Sequence, residues 1–313
     1  MLSRIANNLF WMGRYIERLD HSIRFTKVNY FSAMDAPISI DRQLVLRAVL
    51  RMNGKELEAR DVTEGKVLWT VAFDRDNPAS VLNSISAARE NARGARDIIS
   101  TELWESINKF YHFILSYNQE AYMTTRLFDF SQSSLEQLTI IRGQIDNSLI
   151  HNEVWSIIKL GMYLERSAQI LRSIRTKWQD MEEIEAFSKE NSPLLTFQIA
   201  TLMRGIESFD MSRKYYRAAP SLDQALEFLL LNDTFPRSLL SCLRKVSMHI
   251  NGINESKHEQ VNSAAFHASK SYWQLKHTTL EDMRGTELLD FISARENEIY
   301  TIGSKVVAEY FAF

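Results

Sequence analysis

Of 313 residues, 45% are apolar and 24% charged, with 37 Lys and Arg set against 39 Asp and Glu for a net charge of −2. That balance excludes disordered, collagen-like and mucin-like chains, and it announces no polyanion-binding surface, so no nucleic-acid partner is expected. There are only 10 Gly and 5 Pro, where roughly 20 and 15 are usual, and many-stranded folds need those turn formers.

In chain order, the first element is a helix beginning almost at Met1. Ile5, Leu9, Met12, Ile16, Leu19 and Ile23 recur every third or fourth residue, which sets them on one stripe of an α-helix. Ser3 is its expected N-cap, with a hydroxyl placed to accept from first-turn N–H groups. Ser32 to Asp41, with Pro37, and the polar stretch Met52 to Gly65 read as connectors. Lys66 to Phe73 is rich in β-formers, yet Val67, Leu68, Val71 and Ala72 share a helical face, so a helix is expected. Another helix should follow Asn77-Pro78, with Pro78 as its first residue, because the N–H it lacks has no partner there. Val81, Ile85, Ala88, Ala92, Ala95 and Ile99 repeat the same spacing, and the alanines invite a closely packed neighbour. Phe110, Tyr111 and Phe113 are core candidates. Further breaks are expected over Asp180 to Pro193 and Ile250 to Asn262. The chain closes on AEYFAF, where Phe311 and Phe313 are expected in a fraying terminus that offers an aromatic contact patch.

An internal repeat organises these elements. Gly13-Arg14-Tyr15-Ile16-Glu17-Arg18 returns 148 residues on as Gly161-Met162-Tyr163-Leu164-Glu165-Arg166. The apolar seam returns in register, with Ile157, Leu160, Leu164 and Leu171 answering Leu9, Met12, Ile16 and Ile23. Asn77-Pro78-Ala79-Ser80-Val81-Leu82 is echoed 158 residues on by Phe235-Pro236-Arg237-Ser238-Leu239-Leu240. Two matches in the same order predict a tandem duplication, with pseudo-repeats of about residues 1–150 and 151–313. That period is too long for a solenoid unit, so both should share one core in a single domain over 1–313. The expected fold is an all-α helical bundle with little or no β-sheet, roughly 65% helical or more.

Few residues suggest chemistry. Glu17 and Arg18 are adjacent, hence about 100° apart on a helix, and each must find a partner elsewhere. Glu17 shares its face with Gly13 and His21, and Glu165 with Gly161. A helical Gly in both copies suggests close packing or a pocket, since it costs about 1 kcal/mol relative to Ala. The pairs Glu17-Arg18 and Glu165-Arg166 therefore read either as buried charges knitting helices together or as ligand-facing groups. Arg89, Arg93 and Arg96 form a stripe beside the alanine seam, with Glu90, Glu17 and Glu165 as natural partners or an anion as the alternative. A di-metal carboxylate bundle needs Glu-x-x-His on two helices, and only Glu255-x-x-His258 is present, in a polar stretch. His21 and His151 stand alone and read as solvated or capping. The single cysteine, Cys242, permits no internal disulfide, fits a reducing compartment and reads as a core thiol. There is no HExxH, GxSxG, Walker A or GxGxxG motif, so no cofactor is expected and the reading leans away from an enzyme. The opening residues lack the apolar run of a secretory signal, and no stretch reaches the roughly 18 to 20 apolar residues of a membrane span. A cytoplasmic protein without membrane contact is expected.

The opening LSRIANNLFWMGRYIERLDHSIR resembles the start of the alpha-E family, bacterial helical proteins named for a Glu-Arg motif. The resemblance continues through Asp76 to Asn108, Gly161 to Arg172 and Phe235 to Leu243. It implies Glu17 and Arg18 as the motif, with Glu165 and Arg166 as a second copy. It also implies genomic company: circularly permuted ATP-grasp ligase-like proteins and transglutaminase-like proteases, in systems that make or modify peptides. The expectation is a non-catalytic helical partner or scaffold of such proteins, acting in trans. The alternative is an anion- or nucleotide-binding protein or enzyme built on the Glu-Arg pairs and the arginine stripe.

Overall fold

The computed structural model describes residues 3–35, 42–184, 193–253, 261–280 and 285–311. Of these, 80% are helical and none is in a strand. Fourteen α-helices run in order: α1 (Ser3–Ser32), α2 (Arg42–Met52), α3 (Glu64–Ala72), α4 (Val81–Gly94), α5 (Thr101–Ser116), α6 (Gln119–Thr124) and α7 (Leu127–Asn147). They continue as α8 (Glu153–Glu183), α9 (Pro193–Gly205), α10 (Phe209–Tyr216), α11 (Leu222–Leu230), α12 (Leu239–Asn251), α13 (Ala264–Lys276) and α14 (Gly285–Val306). A π-helical turn over Val307–Phe311 extends α14.

Local chemistry fixes many of these boundaries. Ser80, Ser100, Asn118, Asn152, Ser221, Ser238 and Ser263 each cap a helix by accepting from a first-turn backbone N–H, which satisfies a donor the helix itself cannot. At α4 this corrects the expectation for Pro78. The proline lies in the preceding turn, and Ser80 is the cap, accepting from Asn83 N at 3.2 Å. α12 starts the same way, with Ser238 accepting from Ser241 N at 3.1 Å two residues after Pro236. The expected helix over Lys66 to Phe73 is α3. Ser3 is already helical, within α1, rather than a cap before it.

α1 and α8, of 30 and 31 residues, cross at the centre. α1 packs on α4, α4 on α5, α5 on α7, and α7 returns to α1. α8 packs on α12, α12 on α13, α13 on α14, and α14 returns to α8. The stripes read from the sequence line this interior: Leu9, Met12, Ile16, Leu19 and Ile23 on α1, and Ile157, Leu160, Leu164 and Leu171 on α8, are all buried. So is the alanine seam of α4, although α4 ends at Gly94 and Ile99 is buried from the turn beyond it. One apolar cluster runs from Ala6 to Phe311, and a smaller one joins α2 to α3 through Leu46, Leu50, Val67 and Val71. Phe110 is buried, with Tyr111 and Phe113 packed partly buried beside it.

Three expectations give way to burial. α8 continues through Asp180 instead of breaking there, because Asp180 is buried and paired with Arg51 at 2.5 Å and Lys177 at 3.0 Å. Phe311 is not in a frayed terminus; its ring lies 5.3 Å from that of Phe10 inside the core. His21 is not solvated but buried, with Nε2 2.7 Å from Ser173 Oγ. Phe313 and the Glu255-x-x-His258 pair lie outside the described residues.

Candidate functional site

The site begins with two glycines. A methyl group on Gly13 would overlap the backbone carbonyl of Ile158, and one on Gly161 would overlap that of Phe10. Phe10 stands three residues before Gly13, and Ile158 three before Gly161, so each glycine accepts the carbonyl one turn ahead of the other. α1 and α8 thus touch backbone to backbone, which only residues lacking Cβ permit.

One turn beyond each glycine the motif charges meet across this crossing. Arg166 donates from Nε and Nη2 to the two carboxylate oxygens of Glu17, at 2.5 and 2.8 Å. Arg18 donates from Nε and Nη2 to those of Glu165, at 2.8 and 3.2 Å. The glutamate of each motif is therefore held by the arginine of the other. Both glutamates are buried, at 1% and 2% exposure, and a carboxylate there survives only when paired. Burial alone would raise the Glu17 carboxyl, but Arg166 and Arg237 outweigh it and hold it below its ordinary value. Burial likewise opposes ionisation of Glu165, and Arg14 and Arg18 overcome it.

The surroundings of the two pairs differ. Glu165 also receives Arg14 Nε and Gln169 Nε2, each at 2.8 Å, and its two arginine side chains are about one-fifth exposed, at 22% and 21%. Glu17 belongs to a deeper network. Arg237 reaches toward Glu17 at 3.8 Å, Asp20 at 3.2 Å and Glu207 at 2.8 Å. Asp20, fully buried, also pairs with Arg24 at 3.0 Å and Arg142 at 2.8 Å, and its three arginines hold it far below the usual carboxylate range against its burial. Burial, together with Arg237, pushes His21 down to about 4. Burial also pushes the Cys242 thiol up to about 11, so it stays protonated and behaves as core packing.

The arginine stripe lies elsewhere. Arg89 Nε donates to Asn108 at 2.7 Å, and its guanidinium rests over Tyr111 and Trp104. Glu90 pairs with Arg89 and Arg93, and Arg96 reaches Thr101 Oγ1 at 3.3 Å. Of the three carboxylates named as partners for this stripe, only Glu90 is one; Glu17 and Glu165 are engaged at the α1–α8 crossing. Sequence reasoning missed Arg14, Asp20, Arg142 and Arg237 as members of the charged centre. Two carried a signal: Arg14 lies inside the first motif, and Arg237 inside the echoed Phe-Pro-Arg-Ser segment. Among the described residues no group of three or more His, Cys, Asp or Glu is placed to hold a metal ion, and no helix is long and apolar enough to cross a membrane.

A family model for Alpha-E, described as a predicted alpha-helical domain with a conserved ER motif, matches residues 1–311. The chain belongs to this family. It is also similar to uncharacterised proteins of Mycobacterium bovis and Mycobacterium tuberculosis, at 23% identity over 183 residues in each case. These matches cover 52% of this chain, which spans only 21% of the length of the curated relatives it matches. No solved structure matches it.

Proposed function

We propose that this Alpha-E chain is a non-catalytic helical partner or scaffold, working in the cytoplasm with a circularly permuted ATP-grasp-like protein and a transglutaminase-like protein that make or modify peptides. The observation that carries this reading is how the motif charges are used. Each motif glutamate is buried and saturated by the other motif's arginine, so the motif joins helices instead of presenting a base or nucleophile. The curated relatives are several times longer than the matched segment, which suits a module that operates beside other domains. The parallel packing of α1-α4-α5-α7 and α8-α12-α13-α14, with crossed Glu-Arg pairs between them, supports an internal duplication as the origin of the fold.

Co-expression with the ATP-grasp-like protein, followed by size-exclusion chromatography and calorimetry, tests the reading. The expected result is a complex of about micromolar Kd or tighter, with no nucleotide turnover by this chain alone. Absence of a complex at about ten times that concentration, or turnover by the purified chain, would overturn it.

A further inference from the structure

A cleft of about 1190 Å³ opens between α1, α8, α14 and the loop after α2. Its walls are helical stripes: Trp11 and Arg14 on α1, Arg172, Thr176 and Gln179 on α8, and Asn297, Tyr300 and Ser304 on α14. Five cationic side chains line it against two carboxylates, Glu56 and Glu296. Three of those cations are already engaged, Arg14 with Glu165, Arg51 with Asp180 and Arg175 with Glu296.

The other two have no carboxylate partner among the described residues. Among the described residues Arg172 makes no hydrogen bond or ion pair, and Lys55 Nζ meets only the Asp76 carbonyl at 3.4 Å. Arg172 is half-buried on α8, where an unpaired guanidinium is screened less by water than on an open surface and gains more from an oxyanion. Tyr300 lies on the α14 wall at 75% exposure, a large ring turned to solvent at the edge of the cleft. The Asn297 and Gln179 amides and the Ser304 hydroxyl likewise have no side-chain partner among the described residues. Unpaired cations, free amides and a bare aromatic face together make the polar and apolar lining of a small-molecule site.

We propose that this cleft binds a ligand carrying an oxyanion, held by Arg172 and assisted by Lys55, together with a planar ring that packs on Tyr300. The site borders the Glu-Arg crossing at Arg14, which Glu165 already holds, and does not depend on the partner reading above. The oxyanion is a phosphate or a carboxylate, and the probes separate the two. Calorimetry is run with AMP and with N-acetyl-glutamyl-tyrosine, which bear a ring, and with inorganic phosphate and glutarate, which do not. One ring-bearing probe binds with a Kd below about 1 mM, and the one that binds identifies the oxyanion. Arg172→Gln weakens it at least about ten-fold and Tyr300→Ala about five-fold, while neither variant shifts the melting temperature, since neither side chain holds the fold. Arg93→Gln, remote from the cleft, leaves the affinity unchanged. Failure of both ring-bearing probes to bind with a Kd below about 1 mM, equal binding of the ring-free probes, or affinity that Arg172→Gln or Tyr300→Ala does not alter, overturns the proposal.

Discussion

Glu17 and Arg166 close a two-bond ion pair, at 2.5 and 2.8 Å, across the α1–α8 crossing, with side-chain exposures of only 1% and 10%. Its counterpart, Glu165 with Arg18, has the same two-bond form but a wetter arginine and a second cation, Arg14, hydrogen-bonded at 2.8 Å, where Arg237 stands 3.8 Å from Glu17. The two motifs look alike in sequence, yet their pairs should not be equally costly to break.

Removing Arg166 leaves Glu17 and its neighbour Asp20 buried with less compensation, so Arg166→Met should cost about 3 to 5 kcal/mol. Arg18→Met leaves Arg14 and Gln169 on the buried Glu165 and should cost less, about 1 to 2 kcal/mol. Urea unfolding of both variants checks the order. Equal losses would contradict the assignment of the deeper network to Glu17.

The glycines offer a sharper contrast. Gly→Ala within a helix ordinarily stabilises by about 1 kcal/mol. At Gly13 and Gly161 the added methyl would overlap a backbone carbonyl of the opposite helix, so each variant should lose about 3 kcal/mol or more as α1 and α8 are forced apart. Gly143, inside α7 with no neighbour within 4 Å of where a methyl group would sit, is the control. Gly143→Ala should raise the melting temperature, and a gain at Gly13 as well would refute the backbone contact.

The pH profile should show two buried histidines, since burial, with Lys159 and Lys245, pushes His249 down to about 4 as well. Burial and Arg237 hold His21 at about 4, below its ordinary 6.5. Between those values the unfolded chain binds a proton that the folded chain refuses, so stability rises with pH through the window. The His21 contribution is complete above pH 6.5 and is lost as pH falls toward 4, a change on the order of 3 kcal/mol. The depressed carboxylates Glu17 and Glu165 act in the same direction, adding further loss below their ordinary 4.5. His21→Gln should reduce the slope of the upper part of the curve by about half, His249 supplying the rest, measured by denaturant unfolding at several pH values. An unchanged slope would show that another group sets it.

Capping separates two readings of the α4 start. Ser80→Ala and Ser238→Ala should each cost about 1 kcal/mol, since each removes the acceptor for an orphan N–H. Pro78 is exposed and lies before the cap, so Pro78→Ala should change stability by less than about 0.5 kcal/mol. Thermal melts of the three variants settle which residue starts the helix.

The sequence by itself determined the helical fold and the buried face of each long helix. Leu9, Met12, Ile16 and their echoes on α8 lie inside because apolar spacing is a local property, read without knowing what packs against it. It also marked Glu17, Arg18, Glu165 and Arg166 as charges in need of partners, since adjacent residues on a helix point apart. Only the tertiary structure decided which partners those were. Arg237 reaches Asp20 from 217 residues away along the chain, and Arg142 reaches it from α7, so neither pairing leaves a trace in local periodicity. The fates of Phe311 and His21 were decided the same way. A terminal aromatic and a lone histidine look solvated in the sequence, and they are buried because the ring of Phe10 and the hydroxyl of Ser173 are brought to them by helices packed from elsewhere in the chain.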